Sequence, residues 1–157
     1  MMLDQQTFIT VVGATPLVSL DILMVRGGCE VLLGLRNNRP AQGFWFVPGG
    51  RILKNETINQ AFLRIAKKEL GLELLGKNSQ LNVTFYGNYE HFYDDCFAGD
   101  VGVSTHYVVL AHKVDVPENT PLPAGDEQHI AFKWWSIQEV LQSKEVHQYT
   151  KNYFIQG

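Results

Sequence analysis

The chain has 157 residues, of which 45% are hydrophobic, which is enough apolar content for one folded domain with a full core. Its formal net charge of −3 at pH 7 excludes a nucleic-acid partner held by a basic surface. Cys29 and Cys96 have neither metal-ligand spacing nor a disulfide framework, and no secretory signal or membrane-length apolar run is visible. We therefore expect a cytoplasmic protein with two free thiols and no membrane contact.

The first part of the chain predicts a helix followed by a hairpin. Residues 3–13 have the pattern of a short helix. Residues 16–24 read as a strand with one uniformly apolar face, and Asp21 lies on the opposite face. The segment 26–28 predicts a tight turn into a second strand at 30–35. Two readings of Asp21 stay open here, a solvated strand face or a contact with a ligand.

Strands and helices continue to alternate along the rest of the chain. Further strands are predicted at 44–47, 81–92, 106–116 and 131–136, joined by polar or Pro-rich connections at 73–80, 97–104 and 117–125. A helix at 137–142 and a C-terminal helix with Tyr149, Tyr153 and Phe154 follow. Helices around a mixed β-sheet predict an α/β fold, a single-domain α/β/α sandwich.

The central stretch runs from Val47 to Leu72 and reads as a strand end, a Gly-rich loop and a helix. Gly49 and Gly50 tolerate positive φ and let the backbone approach a ligand closely. Asn55 is a suitable N-cap for a helix that begins near Glu56. Gly71 provides the C-terminal stop.

This helix has one apolar stripe and one acidic residue close to it. The stripe consists of Ile58, Ala61, Phe62, Ile65 and Ala66. At roughly 100° per residue, Glu69 lies within about 20° of Ile58, so its carboxylate points inward. An inward carboxylate needs compensation, and a bound cation supplies it most simply. The alternative is a frayed last turn in which Glu69 reaches solvent.

The pattern Gly50-x5-Glu56-x7-Arg64, followed by Glu69-x-Gly71-Leu72, resembles the Nudix box. The typical family member has metal-binding carboxylates where this chain has Ile65 and Lys68. The resemblance implies a Nudix-type sandwich over residues 1–157, with 1–14 as an N-terminal extension and 50–72 as a modified box. A single remaining acidic ligand favours one Mg²⁺ per subunit, for which Mn²⁺ could substitute, over a cluster of ions.

Phrases outside the box resemble GDP-mannose mannosyl hydrolases, an atypical group of Nudix enzymes. They are T-P-L-V-S-L-D (15–21), N-R-P-A-Q-G-F-W-F-V-P-G-G-R (38–51), H-F-Y-D-D (91–95), T-H-Y-V-V-L (105–110) and D-E-Q-H (126–129). The resemblance implies hydrolysis of GDP-mannose, or of GDP-glucose, to GDP and the free sugar. Water would attack the anomeric carbon with inversion. It also implies a homodimer.

The same resemblance implies the metal ligands and the base. The ligands would be the Gly49 carbonyl, Glu69 and Gln128, which are oxygen donors suited to Mg²⁺. His129 would be the general base, because an imidazole can take a proton from water at neutral pH. Without the family context, an exposed loop histidine is the simpler reading of His129.

Further residues are implied around the substrate. Arg36 and Arg51 would neutralise the departing GDP, whereas Arg64 would brace the box by pairing with Glu56. Tyr107 would donate its hydroxyl to the leaving phosphate, and a core tyrosine is its alternative reading. The other contacts, to sugar hydroxyls, the diphosphate or other parts of the substrate, would come from Asp21, His91, Leu3 and Phe8.

Two other functions compete with this one. An ordinary Nudix pyrophosphohydrolase would split a nucleotide sugar at phosphorus, and Ile65 with Lys68 argues against it. A Nudix-like module without activity would only bind a nucleotide, and intact Glu69, Gln128 and His129 argue against that.

Overall fold

The computed structural model describes residues 2–38, 40–71, 82–95, 102–123 and 129–155. Within them lie four helices and seven strands. In chain order these are α1 (Gln5–Ala14), β1 (Leu17–Arg26), β2 (Glu30–Arg36), β3 (Trp45–Phe46), β4 (Gly49–Arg51), α2 (Ile58–Leu70), β5 (Asn82–Tyr93), β6 (Thr105–Val116), β7 (His129–Ser136), α3 (Ile137–Gln142) and α4 (Gln148–Asn152). No helix in these ranges is long and apolar enough to cross a membrane.

The strands form one mixed sheet in the order β3-β2-β1-β6-β5. Strand β1 runs parallel to β6 along its whole length, from Leu17 opposite Tyr107 to Arg26 opposite Val116. Its other edge changes partner. Near Val25 it pairs with β2, whereas at 19–21 it pairs with β4. The sheet therefore branches between β2 and β4, and β7 continues the β2 branch.

Helices cover both faces of the sheet, which confirms the predicted α/β/α sandwich with a mixed sheet. On one face, α2 packs Phe62 and Ile65 against Leu20 and Ile22 of β1. On the other face, the α3 and α4 region packs residues such as Val140 and Tyr153 against the sheet. Because both faces are covered, β1 is buried on both sides over most of its length. The solvated-face reading of Asp21 is therefore wrong.

Helix α2 begins and ends with strong caps. Its N-cap is Thr57, which forms a capping box with Gln60. The predicted N-cap Asn55 is wrong, because Asn55 has a φ of 70° and belongs to the turn before the helix. Gly71 ends the helix in the left-handed conformation with a φ of 65°, as predicted.

The predicted Gly-rich loop is a strand. Gly49, Gly50 and Arg51 form β4 and pair with Asp21, Leu20 and Ser19, and neither glycine has a positive φ. The predicted positive φ of these glycines is therefore wrong, and their predicted close approach to a ligand stays a prediction. The predicted connection 73–80 and most of the loop 97–104 lie outside the described residues.

Candidate active site

A cavity of about 610 Å³ opens at the branch of the sheet. It is bounded by the N-terminal segment, β1, the end of β2, β4, α2, β5 and β6. The predicted site residues that line it are Leu3, Phe8, Asp21, Arg36, Gly49, Arg51, Glu69, His91 and Tyr107. A 610 Å³ cleft is within the range of small-molecule sites. The fold thus brings together residues that are far apart in the sequence.

For two predicted site residues, Gln128 and His129, the structure does not give the position of the side chain relative to the cavity. Gln128 lies outside the described residues, and so does the side chain of His129. The main chain of His129 begins β7 and pairs with Arg36 at the end of β2. The backbone of His129 is therefore part of a strand, and its partner Arg36 lines the cavity.

The box helix places Glu69 against the cavity. Glu69 is 3% exposed and is among the buried residues of α2, so the predicted inward orientation is confirmed. The alternative of a frayed turn in solvent is wrong, because the Gly71 cap holds the last turn and its N–H bonds to the carbonyls of Ala66 and Lys67. A buried carboxylate in a cavity wall is an oxygen donor suited to a divalent cation.

Arg64 and Glu56 brace the box as predicted. The guanidinium donates to both carboxylate oxygens, at 2.6 and 3.0 Å, and also to the Arg51 carbonyl at 2.8 Å. The N–H of Leu53 donates to Glu56 at 2.9 Å. Hydrogen bonding from Arg64 holds the pKa of Glu56 below its usual value. The network ties β4 to the start of α2 and fixes the loop between them.

Gly49 allows β4 to lie against Asp21. A Cβ at Gly49 would be 2.2 Å from Oδ1 of Asp21 and 2.7 Å from the Leu20 carbonyl oxygen. A Cβ at Gly50 would be 3.1 Å from Ile65. The glycines therefore let a strand pass between the Asp21 carboxylate and the box helix.

Asp21 is a buried carboxyl group in the cavity wall. It is 7% exposed, and the Tyr153 hydroxyl donates a hydrogen bond to its Oδ2. Burial raises the pKa of Asp21 to about 7, against the opposing effects of Tyr153 and the positive charge of Arg36. Its ionisation therefore depends on its surroundings at neutral pH.

His91 lies beside Asp21 in an aromatic cluster. It is 4% exposed, and its ring stacks on Tyr149 with centroids 4.4 Å apart. Burial, and secondarily repulsion by His147, lowers the pKa of His91 to about 4, so the ring is neutral near pH 7. Its Nε2 lies 3.4 Å from the Tyr153 oxygen. A neutral imidazole here can exchange hydrogen bonds with uncharged polar groups such as sugar hydroxyls.

Cationic side chains surround the opening of the cavity. The Arg36 Nε donates to the Pro40 carbonyl at 2.9 Å, and the Arg51 guanidinium lies 5.1 Å from the centroid of the Phe8 ring. Lys68 lines the same cavity from α2. Several basic groups beside few acidic ones suit an anionic ligand.

Sequence reasoning missed two tyrosines of this site. Tyr93 lines the cavity, and burial raises its pKa above the usual value. Tyr153 reaches Asp21 from the C-terminal end of the chain. Tyr93 is part of the H-F-Y-D-D phrase, which could have indicated it, whereas no local signal marks Tyr153.

The residues present fit a single Mg²⁺. Gly49 and Glu69 both line the cavity and offer a carbonyl and a carboxylate oxygen. Among the described residues, no group of three or more His, Cys, Asp or Glu side chains could hold a metal ion. A site built there would share its coordination with backbone, amide, phosphate or water oxygens, as Mg²⁺ sites commonly do.

Comparison with known proteins identifies the family. The sequence model of the NUDIX domain matches residues 15–156. The chain belongs to the Nudix family. The low-salt glycan biosynthesis protein Agl8 of Haloferax volcanii is 40% identical over 123 residues, which cover 78% of this chain and 72% of the relative.

Solved structures show the same Nudix fold. The MutT protein of Methanosarcina mazei has a TM-score of 0.69 at 19% identity, covering 90% of this chain and 92% of its own. The dihydroneopterin triphosphate pyrophosphohydrolase of E. coli has a TM-score of 0.65 at 19% identity, covering 87% and 90%. At such identities the likeness concerns the fold alone. Nudix hydrolases generally use a divalent metal, and the cavity beside the box is where this chain would hold it.

The Nudix box of this chain departs from the family pattern at two positions, and the two have different surroundings. Ile65 is 1% exposed, packs in the core beneath α2 and also lines the cavity, so this chain has an apolar side chain where the family has a carboxylate. Lys68 is exposed at the cavity edge. The box therefore keeps its structural brace and one metal-type carboxylate, and it adds a positive charge.

Proposed function

We propose that this Nudix hydrolase cleaves GDP-mannose, or the related GDP-glucose, to GDP and the free sugar by attack of water on the anomeric carbon, with inversion. The observation that carries the proposal is the composition of the cavity wall: one buried box carboxylate, Glu69, among Arg36, Arg51 and Lys68. This set suits stabilisation of a departing diphosphate better than activation of water by several carboxylate-bound ions.

The cationic side chains act on the leaving group. Arg36 and Arg51 can donate to phosphate oxygens in a bidentate manner, and Lys68 adds a point charge. Their charge stabilises the negative charge that GDP acquires as the glycosidic bond breaks. Because GDP is then a good leaving group, no general acid is needed to protonate it.

The Gly49 carbonyl, Glu69 and Gln128 are the proposed Mg²⁺ ligands. When bound, Mg²⁺ supplies Lewis-acid stabilisation of the diphosphate. The role of Glu69 follows from its burial in the cavity wall, and the roles of Gly49 and Gln128 follow from the sequence resemblance. The family's second and third carboxylates are replaced, so one ion is the proposed stoichiometry.

His129 is the proposed general base. Ile65 and Lys68 occupy positions at which a typical Nudix enzyme has carboxylates, so another group must take the proton from water. The main chain of His129 pairs with Arg36, which lines the cavity. An imidazole there can accept the proton near neutral pH.

The sugar end of the substrate is proposed to lie against Asp21, His91 and Tyr93. Asp21 and His91 are buried, Tyr93 is half-buried, and all three line one cavity; His91 and Tyr93 carry little or no charge near pH 7. Groups of this kind suit the hydroxyls of a neutral sugar. Tyr107 is the proposed donor to the leaving phosphate, whereas Leu3 and Phe8 contact the substrate from the N-terminal side. The H. volcanii relative is named as a glycan biosynthesis protein, which supports a sugar-containing substrate.

Product identification tests the proposal. Purified protein is incubated with GDP-mannose and Mg²⁺, and the nucleotide products are separated chromatographically. We expect GDP and mannose, whereas GMP and mannose 1-phosphate would establish the pyrophosphohydrolase alternative. If neither pair of products forms, a nucleotide-binding module without activity would be favoured. The Glu69→Gln variant, purified identically, controls for contaminating hydrolases. The homodimer and the cytoplasmic location are not needed for this chemistry and stay predictions.

A further inference from the structure

Tyr153, close to the C-terminal end of the described residues, lies behind the wall of the active-site cavity, where it contacts the lining residues Asp21 and His91. It directly follows α4 and is 2% exposed. Its hydroxyl donates to Oδ2 of Asp21, a residue 132 positions earlier in the chain. A hydrogen bond to a buried carboxylate is strong, because water does not compete for it.

Several contacts hold Tyr153 in place. Its ring makes an edge contact with Tyr89, with centroids 4.5 Å apart and planes at 85°. Its main-chain carbonyl accepts a hydrogen bond of 2.5 Å from the Tyr86 hydroxyl. His91 lies 3.4 Å from the Tyr153 oxygen on the cavity side. These contacts fix the position of the hydroxyl through packing within the protein itself.

A carboxylate is planar, so holding one oxygen directs the other. With Oδ2 on Tyr153, Oδ1 of Asp21 lies against Gly49, at the point where any side chain would displace it. Both Asp21 and Gly49 line the cavity. Oδ1 of Asp21 is thus held beside β4 in the cavity wall.

We propose that Tyr153 is a positioning residue, whose hydroxyl holds the Asp21 carboxylate in the orientation that accepts a hydrogen bond from the sugar of the GDP-sugar substrate. The proposal rests on the proposed function for the identity of the sugar. Tyr153 itself acts through Asp21. The C-terminal segment is in this way part of the site, although the box is far from it in sequence.

A double-mutant cycle tests the proposal. Tyr153→Phe keeps the ring and removes only the oxygen, and we expect kcat with GDP-mannose to fall roughly 10- to 100-fold, as for loss of one hydrogen bond to a charged group. Inhibition by GDP should be unchanged, since GDP lacks the sugar. In an Asp21→Ala background, Tyr153→Phe should have no further effect on kcat. Tyr89→Phe is the matched control, because it removes a hydroxyl from the neighbouring ring, and its kcat should equal that of wild type.

Equal effects of Tyr153→Phe in the wild-type and Asp21→Ala backgrounds would overturn the proposal, and so would an equal loss in the Tyr89→Phe control. The kcat values of the cycle are measured on whichever products form. GMP and mannose 1-phosphate as products would overturn the proposed function and leave the coupling readable. Additive losses with GDP and mannose as products would overturn this inference alone.

A second measurement applies if Tyr153→Phe does not fold. In the His129→Gln variant, 3-fluorotyrosine is incorporated at position 153 and followed by ¹⁹F NMR. Its resonance should shift on addition of GDP-mannose with Mg²⁺ and stay in place with GDP and Mg²⁺, because only the sugar engages Asp21. Equal shifts with both ligands, or no shift with either, would contradict the proposal.

Discussion

Asp21 and Gly49 depend on each other at the scale of single residues. Opposite each other on paired strands, they leave no room for a Cβ at position 49, which would be 2.2 Å from Oδ1 of Asp21. A side chain on Gly49 must therefore move the carboxylate or separate the strands. Overpacking of this kind typically costs about 1–3 kcal/mol.

We expect Gly49→Ala to lower the free energy of unfolding by about 1–3 kcal/mol and to lower kcat at least about 10-fold, since it displaces Asp21. Gly13→Ala is the control. Gly13 lies in α1, where an added Cβ would be 3.9 Å from Val103, and alanine favours the helix. Urea unfolding and steady-state kinetics of both variants check this. Wild-type kcat in Gly49→Ala would contradict it.

Asp21 and His91 give the metal-free protein opposite pH dependences of stability. Burial raises the pKa of Asp21 from 3.8 to about 7. In that interval the folded protein holds a proton that the unfolded chain has lost, so the free energy of unfolding falls as pH rises. Burial lowers the pKa of His91 from 6.5 to about 4, so the unfolded chain holds the extra proton and the free energy of unfolding rises with pH. Each slope reaches about 1.4 kcal/mol per pH unit.

Two substitutions should therefore change the slope of the free energy of unfolding against pH in opposite directions between about pH 4 and 6.5. Asp21→Asn removes the falling contribution and should make the slope more positive than in wild type. His91→Gln removes the rising contribution and should make it more negative. Urea titrations of the metal-free proteins across this interval measure both slopes. A change of the same sign in the two variants would refute the assignment.

At the scale of elements, the box places its two acidic residues, Glu56 just before α2 and Glu69 in its last turn, in different surroundings. Glu56 pairs with Arg64 and does not itself line the cavity, whereas Glu69 is buried in the cavity wall. The same chemical change at the two positions should therefore have different consequences.

We expect Glu69→Gln to lower activity by more than about 100-fold and to raise the Mg²⁺ concentration required for half-maximal activity, because it removes a charged ligand. Glu56→Gln is the matched control, and it should lower thermal stability without altering the Mg²⁺ requirement. Activity against Mg²⁺ concentration and thermal unfolding distinguish the two. An unchanged Mg²⁺ requirement in Glu69→Gln would remove it from the metal site.

Restoring the family's acids should not restore the family's chemistry. Ile65→Glu places a carboxylate at a buried position between the core and the cavity, and should lower the free energy of unfolding of the metal-free protein by about 3 kcal/mol or more. Lys68→Glu should fold normally but raise KM, because it reverses a charge at the cavity edge. Lys67→Glu, one position away and outside the cavity lining, is its control. GMP as the main product of the Ile65→Glu, Lys68→Glu double variant would argue against a substrate held for attack at carbon.

The elements could be predicted from sequence where the information is local. Gly71 predicted the end of α2, and the segment 137–142 predicted α3 to the residue. The apolar stripe predicted the buried face of α2 except at Ile58, which is 49% exposed. The start of α2 was misplaced because Asn55 and Thr57 are both good caps, and only the reciprocal bond with Gln60 selects Thr57.

The site could be predicted only in part. Asp21, Arg36 and Glu69 were indicated by motifs and phrases, and the structure brings them to one cavity. Tyr153 could not be predicted, because its contact with Asp21 spans 132 positions and depends on how the C-terminal segment packs. A buried hydroxyl that acts on a distant side chain leaves no local pattern in the sequence.

At the scale of the whole molecule, the branch of the sheet creates the site. Strand β1 leaves β2 and takes β4 as its partner, and the cavity lies where these strands separate. The box helix, the end of β2 and the start of β7 meet at this branch, so a carboxylate, an arginine and the backbone of the proposed base converge there. The proposed function has water attack carbon at this branch while the diphosphate is held as a leaving group.

Hydrolysis of GDP-mannose in ¹⁸O-labelled water tests this claim most directly. Attack at the anomeric carbon puts the label on mannose and leaves GDP unlabelled, as judged by mass spectrometry of mannose and by the isotope shift in the ³¹P NMR spectrum of GDP. Free mannose incubated in parallel corrects for exchange at the anomeric position. Unlabelled GDP together with labelled mannose, first formed as the β anomer, is the predicted result. Label on a phosphate oxygen would place the attack at phosphorus and contradict the account.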